Sequence, residues 1–75
     1  MTYQERIEIN PLICSGKPVI KGTRIMVSSL ISQLAAGETA EGLKKGYPGL
    51  TDADIRAALD FAAATLNNVE VEELK

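Results

Sequence analysis

The sequence contains no histidine, a single cysteine and no long apolar run. Without histidine, an imidazole general base, a His-containing catalytic triad and a histidine-bound metal are all excluded. The one cysteine, Cys14, has no partner for an intramolecular disulfide, which suits a protein of the reducing cytosol. No stretch reaches the length of a membrane span, and the N-terminus lacks the apolar core of a signal peptide. We therefore expect a cytoplasmic protein with no membrane contact.

The chain has 75 residues and a net charge of −2 that is unevenly distributed. A chain of this size forms one marginally stable domain, because it buries only about 60% of the surface that its unfolded form exposes. Residues 1–45 carry six basic and four acidic residues, whereas residues 46–75 carry two basic and six acidic ones. This balance argues against a surface coated in positive charge for nucleic acid, and leaves room for a local basic patch.

The segment from Cys14 to Val27 combines two glycines, a proline and three cations with several β-branched residues. Glycine permits tight reversals and β-branched residues favour extended backbone. The segment therefore predicts a compact hairpin or hooked loop from which Lys17, Lys21 and Arg24 project. These cations are either a contact surface for a partner or solvated residues of a hairpin that closes one end of the core.

Upstream, an alternation of apolar and charged residues predicts a short strand containing Ile7 and Ile9, ended by a turn at residues 10–11. This strand can pair with Val19–Ile20, with Ile25 or with another copy of the chain. A two-stranded sheet is barely stable in water, so it must pack on helices or join a partner's strands. The unpaired strand edge and the small core together predict a homodimer.

Two helical patterns follow the hairpin. The first runs from about Val27 to Ala36, with an apolar stripe at helical spacing and Gly37 in the position of a left-handed C-cap. The second is short, Ala40 to Gly46, and begins after Thr39, a residue type favoured as N-cap.

The third and longest helical pattern begins after Thr51 and ends near Asn67. Thr51 is predicted to cap it, and Asp52 and Asp54 lie in the first turn, where the helix dipole favours negative charge. The sequence predicts an apolar seam along this helix, formed by Ile55, Leu59, Ala62 and Leu66 and widened by Ala58 and Phe61.

The sequence predicts a mainly α fold, in which a hairpin is followed by a helix, a short helix, a turn and a longer helix. The order and length of the last two helices are those of a helix-turn-helix, so we expect a three-helix, homeodomain-like bundle with a short N-terminal β-hairpin. In this single domain, residues 1–26 form the hairpin and loop segment, residues 27–67 the bundle and residues 68–75 a tail. The tail either continues as helix or extends as a strand.

Three carboxylates, Asp52, Asp54 and Asp60, raise the possibility of a metal cluster. The first two are two positions apart on a helix and point away from each other. Asp60 follows Arg56 by four positions, a spacing that predicts an ion pair. A helix cap and a surface ion pair account for all three, so we expect no metal, no cofactor and no enzymatic activity.

Four segments of the chain carry a resemblance to a known family. They are CSGKPVIKGTRIMV at 14–27, LAAG at 34–37, YPGLT at 47–51 and DIRAAL at 54–59. With these segments, which span most of the chain, the sequence resembles the prokaryotic family known as domain of unknown function 433 (DUF433). Two residues depart from the family's motif: Met26 stands in place of proline and Ser15 in place of glycine. The serine argues against a required positive φ at that position.

The resemblance implies a helix-turn-helix domain similar to VapB-type antitoxins, which neutralise a PIN-like toxin ribonuclease and bind operator DNA. On that reading, Lys17, Lys21 and Arg24 are expected to supply most phosphate contacts. The other candidates for DNA contact are Lys44, Lys45 and Arg56. The acidic and partly apolar tail is expected to contact the toxin through Leu66, Val69, Val71 and Leu74. The different-class alternative is a protein-interaction module without DNA binding.

Overall fold

The computed structural model describes residues 3–67, and the fold is mainly helical. Two short strands, β1 (Ile7–Glu8) and β2 (Val19–Ile20), precede three helices, α1 (Val27–Ala35), α2 (Ala40–Gly46) and α3 (Asp52–Asn67). A single 3-10 turn at Tyr3–Glu5 lies before β1. The tail beyond residue 67, with the predicted contacts Val69, Val71 and Leu74, falls outside the described residues.

The strands form an antiparallel pair in which Ile7 faces Ile20 and Glu8 faces Val19. The other edge of β2 forms a single bridge from Val19 to Met26. Of the partners expected for the first strand, Val19–Ile20 is therefore the observed one. The two strands are joined by a ten-residue loop, residues 9–18, while the tight reversal predicted around Gly22 connects β2 to the segment before α1.

Local signals place the helix ends where the sequence predicts them. Helix α1 ends one residue earlier than expected, and Gly37, at φ 101°, donates its N–H to the carbonyl of Leu34. The next N–H, of Glu38, donates to the carbonyl of Gln33, which completes a Schellman motif. Helix α2 has the predicted bounds, and the Thr39 hydroxyl accepts a hydrogen bond of 3.0 Å from the N–H of Gly42.

The start of α3 is capped in both directions. The Thr51 hydroxyl accepts a 3.1 Å hydrogen bond from the Asp54 N–H, and the Asp54 carboxylate accepts one of 3.1 Å from the Thr51 N–H. This reciprocal arrangement is a capping box in which aspartate occupies the position usual for glutamate. The predicted cap at Thr51 is confirmed.

The core lies where β2 and the three helices meet. Its buried side chains include Leu30 of α1 and Leu43 of α2, and Tyr47 packs against them. The Tyr47 hydroxyl accepts a 2.8 Å hydrogen bond from the side chain of Gln33, which links α1 to the end of α2. The full set of clustered buried residues is Ile20, Val27, Leu30, Leu43, Leu50, Ile55 and Ala58.

The seam predicted for α3 is wrong at two positions. Leu59 and Leu66 are exposed, whereas Ala57 and Ala58 are buried. The reason is the N-terminal segment, which packs on α3 and covers a different side of the helix from the one that its leucines favour. The ring of Tyr3 meets that of Phe61 edge to face at 5.7 Å.

Backbone conformation at Ser15 also differs from the expectation. Cys14, Ser15 and Gly16 adopt φ values of 48°, 58° and 83°, three consecutive residues in the left-handed region. Residues other than glycine pay a steric cost there. The position at which the family motif has glycine therefore does have a positive φ in this chain, although serine occupies it.

Candidate functional site

The three cations of the 14–27 segment are exposed. Lys17, Lys21 and Arg24 all lie on the surface, and among residues 3–67 none of them takes part in an ion pair. The backbone beneath them is fixed, since the Lys21 N–H donates to the carbonyl of Arg6 at 2.8 Å. The Thr23 hydroxyl donates to the Ile20 carbonyl at 2.7 Å across the turn. The predicted projection of the cations from a structured loop is confirmed, and their binding of DNA stays a prediction.

The two lysines of α2 have different surroundings. Lys44 lies 2.8 Å from a carboxylate oxygen of Glu41 and 3.0 Å from one of Asp52, so it links α2 to the start of α3. Its hydrogen bonds to Glu41 and then to Asp52 raise the pKa of Lys44 above 10.5. Lys45 is exposed and makes no ion pair with any of the residues 3–67. Of the two, Lys45 is the better placed to meet an anionic partner.

The exposed face of α3 is not basic. Arg56 is exposed, with Asp52 four residues before it and Asp60 four residues after it on the same helix. The predicted ion pair between Arg56 and Asp60 is wrong, because within the described part of the chain no such contact forms. A recognition helix that enters the major groove presents basic and amide groups. Here the corresponding face offers one cation between two carboxylates.

The remaining carboxylate of the first turn, Asp54, is buried. Its Oδ1 accepts a hydrogen bond of 3.0 Å from the guanidinium of Arg6, and its Oδ2 accepts the capping bond from Thr51. Both carboxylate oxygens therefore already accept hydrogen bonds from within the chain. Asp52 is engaged by Lys44, and no three Asp, Glu or Cys side chains between residues 3 and 67 are grouped as metal ligands.

A shallow apolar groove lies between α1 and α3, and the sequence did not predict it. Its volume is about 390 Å³. Ile31 and Ser32 of α1 form one wall, and Phe61 and Leu66 of α3 form the other. Leu66, a predicted partner-binding residue, is 69% exposed at this groove. Of the residues with which the sequence predicts toxin contact, this is the one that lies within the described chain.

Three features of the site were missed at the level of sequence, and one of them had a signal. The spacing of Thr51 and Asp54, Thr-x-x-Asp before an apolar run, is the mark of a capping box and predicts that Asp54 turns inward. No local pattern indicates that Arg6, 48 residues away, would reach the same carboxylate. The groove was missed because Leu66 was assigned to the buried seam.

Comparison with known proteins identifies the class to which the chain belongs. Residues 7–62 match the family described as "Protein of unknown function (DUF433)". This match covers both strands and most of the three helices, so the chain belongs to the DUF433 family. No helix among residues 3–67 is long and apolar enough to cross a membrane.

Two known proteins are similar to this chain. It is 34% identical over 61 residues to the uncharacterized protein y4eO of Sinorhizobium fredii (strain NBRC 101917 / NGR234). The aligned part is 81% of this chain and 28% of y4eO, so the chain spans little more than a quarter of that relative. It also resembles the crystal structure of a DUF433 member protein from Anabaena variabilis ATCC 29413, with a TM-score of 0.80 and 34% identity. That similarity covers 85% of this chain and 63% of the other.

Proposed function

We propose that this chain is an antitoxin-like binding protein that neutralises a PIN-like toxin ribonuclease. The observation that carries the proposal is the apolar groove between α1 and α3, which the described residues leave open to solvent and which ends at Leu66. An open apolar groove is suited to an apolar element of a partner protein. Beyond Leu66 the sequence continues into the acidic tail.

The charge of the chain supports the same partner. Residues 46–75 carry two basic and six acidic residues, and the α3 wall of the groove belongs to this acidic half of the chain. A ribonuclease that holds RNA must present an electropositive surface to the phosphates. An acidic segment next to an apolar groove is complementary to such a surface, with the groove supplying burial and the carboxylates supplying attraction. Inhibition is then steric, by occupation of the RNA path.

Operator DNA is the second proposed partner, as expected of a helix-turn-helix antitoxin. The helix order and the five-residue connection between α2 and α3 are compatible with a helix-turn-helix. The acidic face of α3 disfavours major-groove reading by that helix, so the phosphate contacts would come from Lys17, Lys21 and Arg24. Function as a repressor and a cytoplasmic location belong to the same proposal. The alternative is a protein-interaction module that binds no DNA.

Toxin binding is tested by placing a long side chain in the groove. Ser32 is exposed and lines the α1 wall, so Ser32→Arg should obstruct the groove without altering the core. The matched control is Ala63→Arg, on an exposed position of α3 that does not line the groove. With a PIN-like ribonuclease as the target, we expect Ser32→Arg to weaken co-purification and inhibition of RNA cleavage by at least about tenfold. Equal inhibition by both variants contradicts the proposed surface.

The contribution of the tail is tested separately, with a chain that ends at Thr65. This version lacks Leu66 and the predicted contacts beyond it, and we expect it to lose inhibition of the ribonuclease. If it still blocks RNA cleavage completely, the tail plays no part and the helices supply the whole interface.

DNA binding is tested by the salt dependence of affinity for the chain's own upstream region. Each cation that contacts a phosphate adds about 0.9 to the slope of log affinity against log salt. Replacing Lys17, Lys21 and Arg24 by alanine should therefore flatten the slope by up to about three. A slope unchanged by the triple substitution assigns these residues no role in DNA binding and favours the protein-interaction alternative.

A further inference from the structure

The exposed face of α3 carries a row of small, apolar and charged residues. Ala53, Arg56, Asp60 and Ala63 are all exposed, and they follow one another at intervals of three, four and three positions. Because residues three and four apart are neighbours on a helix surface, these intervals place all four on one side of α3. Leu59 lies in the same row and is 47% exposed. We call these five residues the α3 stripe.

An open groove of about 670 Å³ runs beside the α3 stripe, between α2 and α3. It is lined by Ala53, Arg56, Leu59 and Asp60 of the stripe and by Ala40 of α2. We call it the α2/α3 groove. The two alanines leave room next to the longer side chains of Arg56 and Leu59. This side of the molecule therefore has both a projecting leucine and a space that a leucine of a partner can enter.

The two charges of the α3 stripe have no ionic partner within one chain. Arg56 and Asp60 are four positions apart, yet neither forms an ion pair with any of the residues 3–67. Asp52, the other acidic neighbour of Arg56 on the helix, is already held by Lys44 at 3.0 Å. One cation and one carboxylate of the stripe are therefore both available to a binding partner.

The α3 stripe is complementary to a second copy of itself. Ala53 and Ala63 lie five positions to either side of position 58, and Arg56 and Asp60 lie two positions to either side of it. When two α3 helices pack antiparallel with a two-fold axis at this level, each Arg56 faces an Asp60 of the other copy. Ala53 likewise faces Ala63. Small residues at both ends of the contact permit the two helices to approach closely.

We propose that this chain forms a two-fold homodimer in which the α3 stripes of two copies pack antiparallel. Leu59 of each copy lies opposite position 57 of the other and enters its α2/α3 groove beside Ala53. The apolar contacts and the ion pairs between Arg56 and Asp60 form together, because a two-fold axis makes every contact twice. A parallel arrangement would instead set each of these charges against its own copy.

This interface gives the homodimer expected from the sequence a place on α3. It is independent of toxin binding, because the α1/α3 groove shares no residue with the α3 stripe. The strand edge at β1, from which the sequence led us to expect a dimer, takes no part in it.

Sedimentation equilibrium of the full chain tests the dimer. A single helix face is a small interface, so we expect the wild type to dimerise with a Kd of about 10–100 µM. Ala63→Arg places a long cation opposite Ala53, and Leu59→Ser removes the side chain that fills the groove. Each should raise the Kd at least about tenfold. The control is Ser32→Arg, on the wall of the α1/α3 groove, which should leave the Kd unchanged.

The substituted positions are exposed, and circular dichroism checks that each variant is folded. No ribonuclease is present in this experiment, so its outcome is separate from that of the toxin-binding test. Ala63→Arg should weaken the dimer and keep inhibition of the ribonuclease, whereas Ser32→Arg should do the reverse.

A charge exchange tests the antiparallel pairing. Arg56→Glu sets two carboxylates against each other and Asp60→Arg sets two guanidinium groups together, so each change should raise the Kd at least about tenfold. The chain with both changes again pairs opposite charges and should recover most of the wild-type affinity. A wild-type chain that stays monomeric at about 1 mM overturns the proposal. So does a dimer that Ala63→Arg or Leu59→Ser does not weaken, an equal effect of Ser32→Arg, or a double charge variant that binds no more tightly than the single ones.

Discussion

The guanidinium of Arg6 donates a 3.0 Å hydrogen bond to Oδ1 of Asp54, and the two residues are 48 positions apart in the chain. The Asp54 side chain is 12% exposed, and its second oxygen caps α3 through the Thr51 N–H. A single carboxylate thus attaches the N-terminal segment to the start of the longest helix.

Removal of the Arg6 charge should destabilise the fold. In Arg6→Met the apolar stem remains while the buried Asp54 carboxylate loses its ionic partner. We expect a loss of about 1–2 kcal/mol in the free energy of unfolding, less than for a fully buried pair because the Arg6 side chain is 30% exposed. Urea denaturation followed by circular dichroism measures it. Arg56→Met is the matched control on an exposed arginine, and equal midpoints for the two variants would mean that the pair contributes nothing.

The contribution of the Thr51 hydroxyl to stability can be measured separately from that of its methyl group. Thr51→Ala removes the acceptor for the Asp54 N–H, and we expect a loss of about 1 kcal/mol, typical of an N-cap. Thr51→Ser keeps the hydroxyl, so it should lower the free energy of unfolding by at most about a few tenths of a kcal/mol. Chemical denaturation of both variants distinguishes the capping bond from side-chain packing, since packing alone would make serine and alanine similar.

Lys44 should make stability depend on pH in the alkaline range. Its folded-state pKa is raised above 10.5 by Glu41 and Asp52, so the protonated form binds its partners more favourably in the folded state. That stabilisation is fully present below pH 10.5 and is lost as the pH rises through the folded-state pKa. We therefore expect the difference in urea midpoint between wild type and Lys44→Met to be constant up to about pH 10 and to shrink above it.

The neighbouring lysine provides the control for this titration. Lys45 is exposed and forms no ion pair with the described residues, so Lys45→Met removes a lysine from the same helix without removing an ion pair and is the matched control. Both variants keep every other lysine and tyrosine of the wild type. A difference for Lys44→Met that stays flat to pH 12 would show that the two ion pairs add no stability.

Residues whose conformation depends on near neighbours in sequence were predicted well. Thr39, Gly37 and Thr51 act through hydrogen bonds that span three to five residues, and each has the predicted role. The partner of Asp54 and the exposure of Leu59 depend instead on how the N-terminal segment packs on α3. Local periodicity does not contain that information, so the predicted seam is right at Ile55 and Ala58 and wrong at Leu59 and Leu66.

The candidate binding surfaces also differ in how well the sequence predicts them. The exposure of Lys17, Lys21 and Arg24 could be predicted because charged side chains on a short hairpin have little chance of burial. The groove between α1 and α3 could not, since it is formed by side chains from helices that are distant in sequence.

Ser15 offers a test of strain in the loop that joins β1 to β2. At φ 58° the serine occupies the left-handed region, which costs a residue with a Cβ about 1 kcal/mol and costs glycine nothing. Ser15→Gly should therefore stabilise the fold by roughly 0.5 kcal/mol, because the greater freedom of glycine in the unfolded chain offsets part of the gain. The control is Ser32→Gly on the exposed face of α1, where backbone is right-handed and the same change should cost roughly 0.5 kcal/mol. Urea midpoints that move in opposite directions would confirm the strain, whereas two losses of equal size would show that the left-handed serine costs this fold nothing.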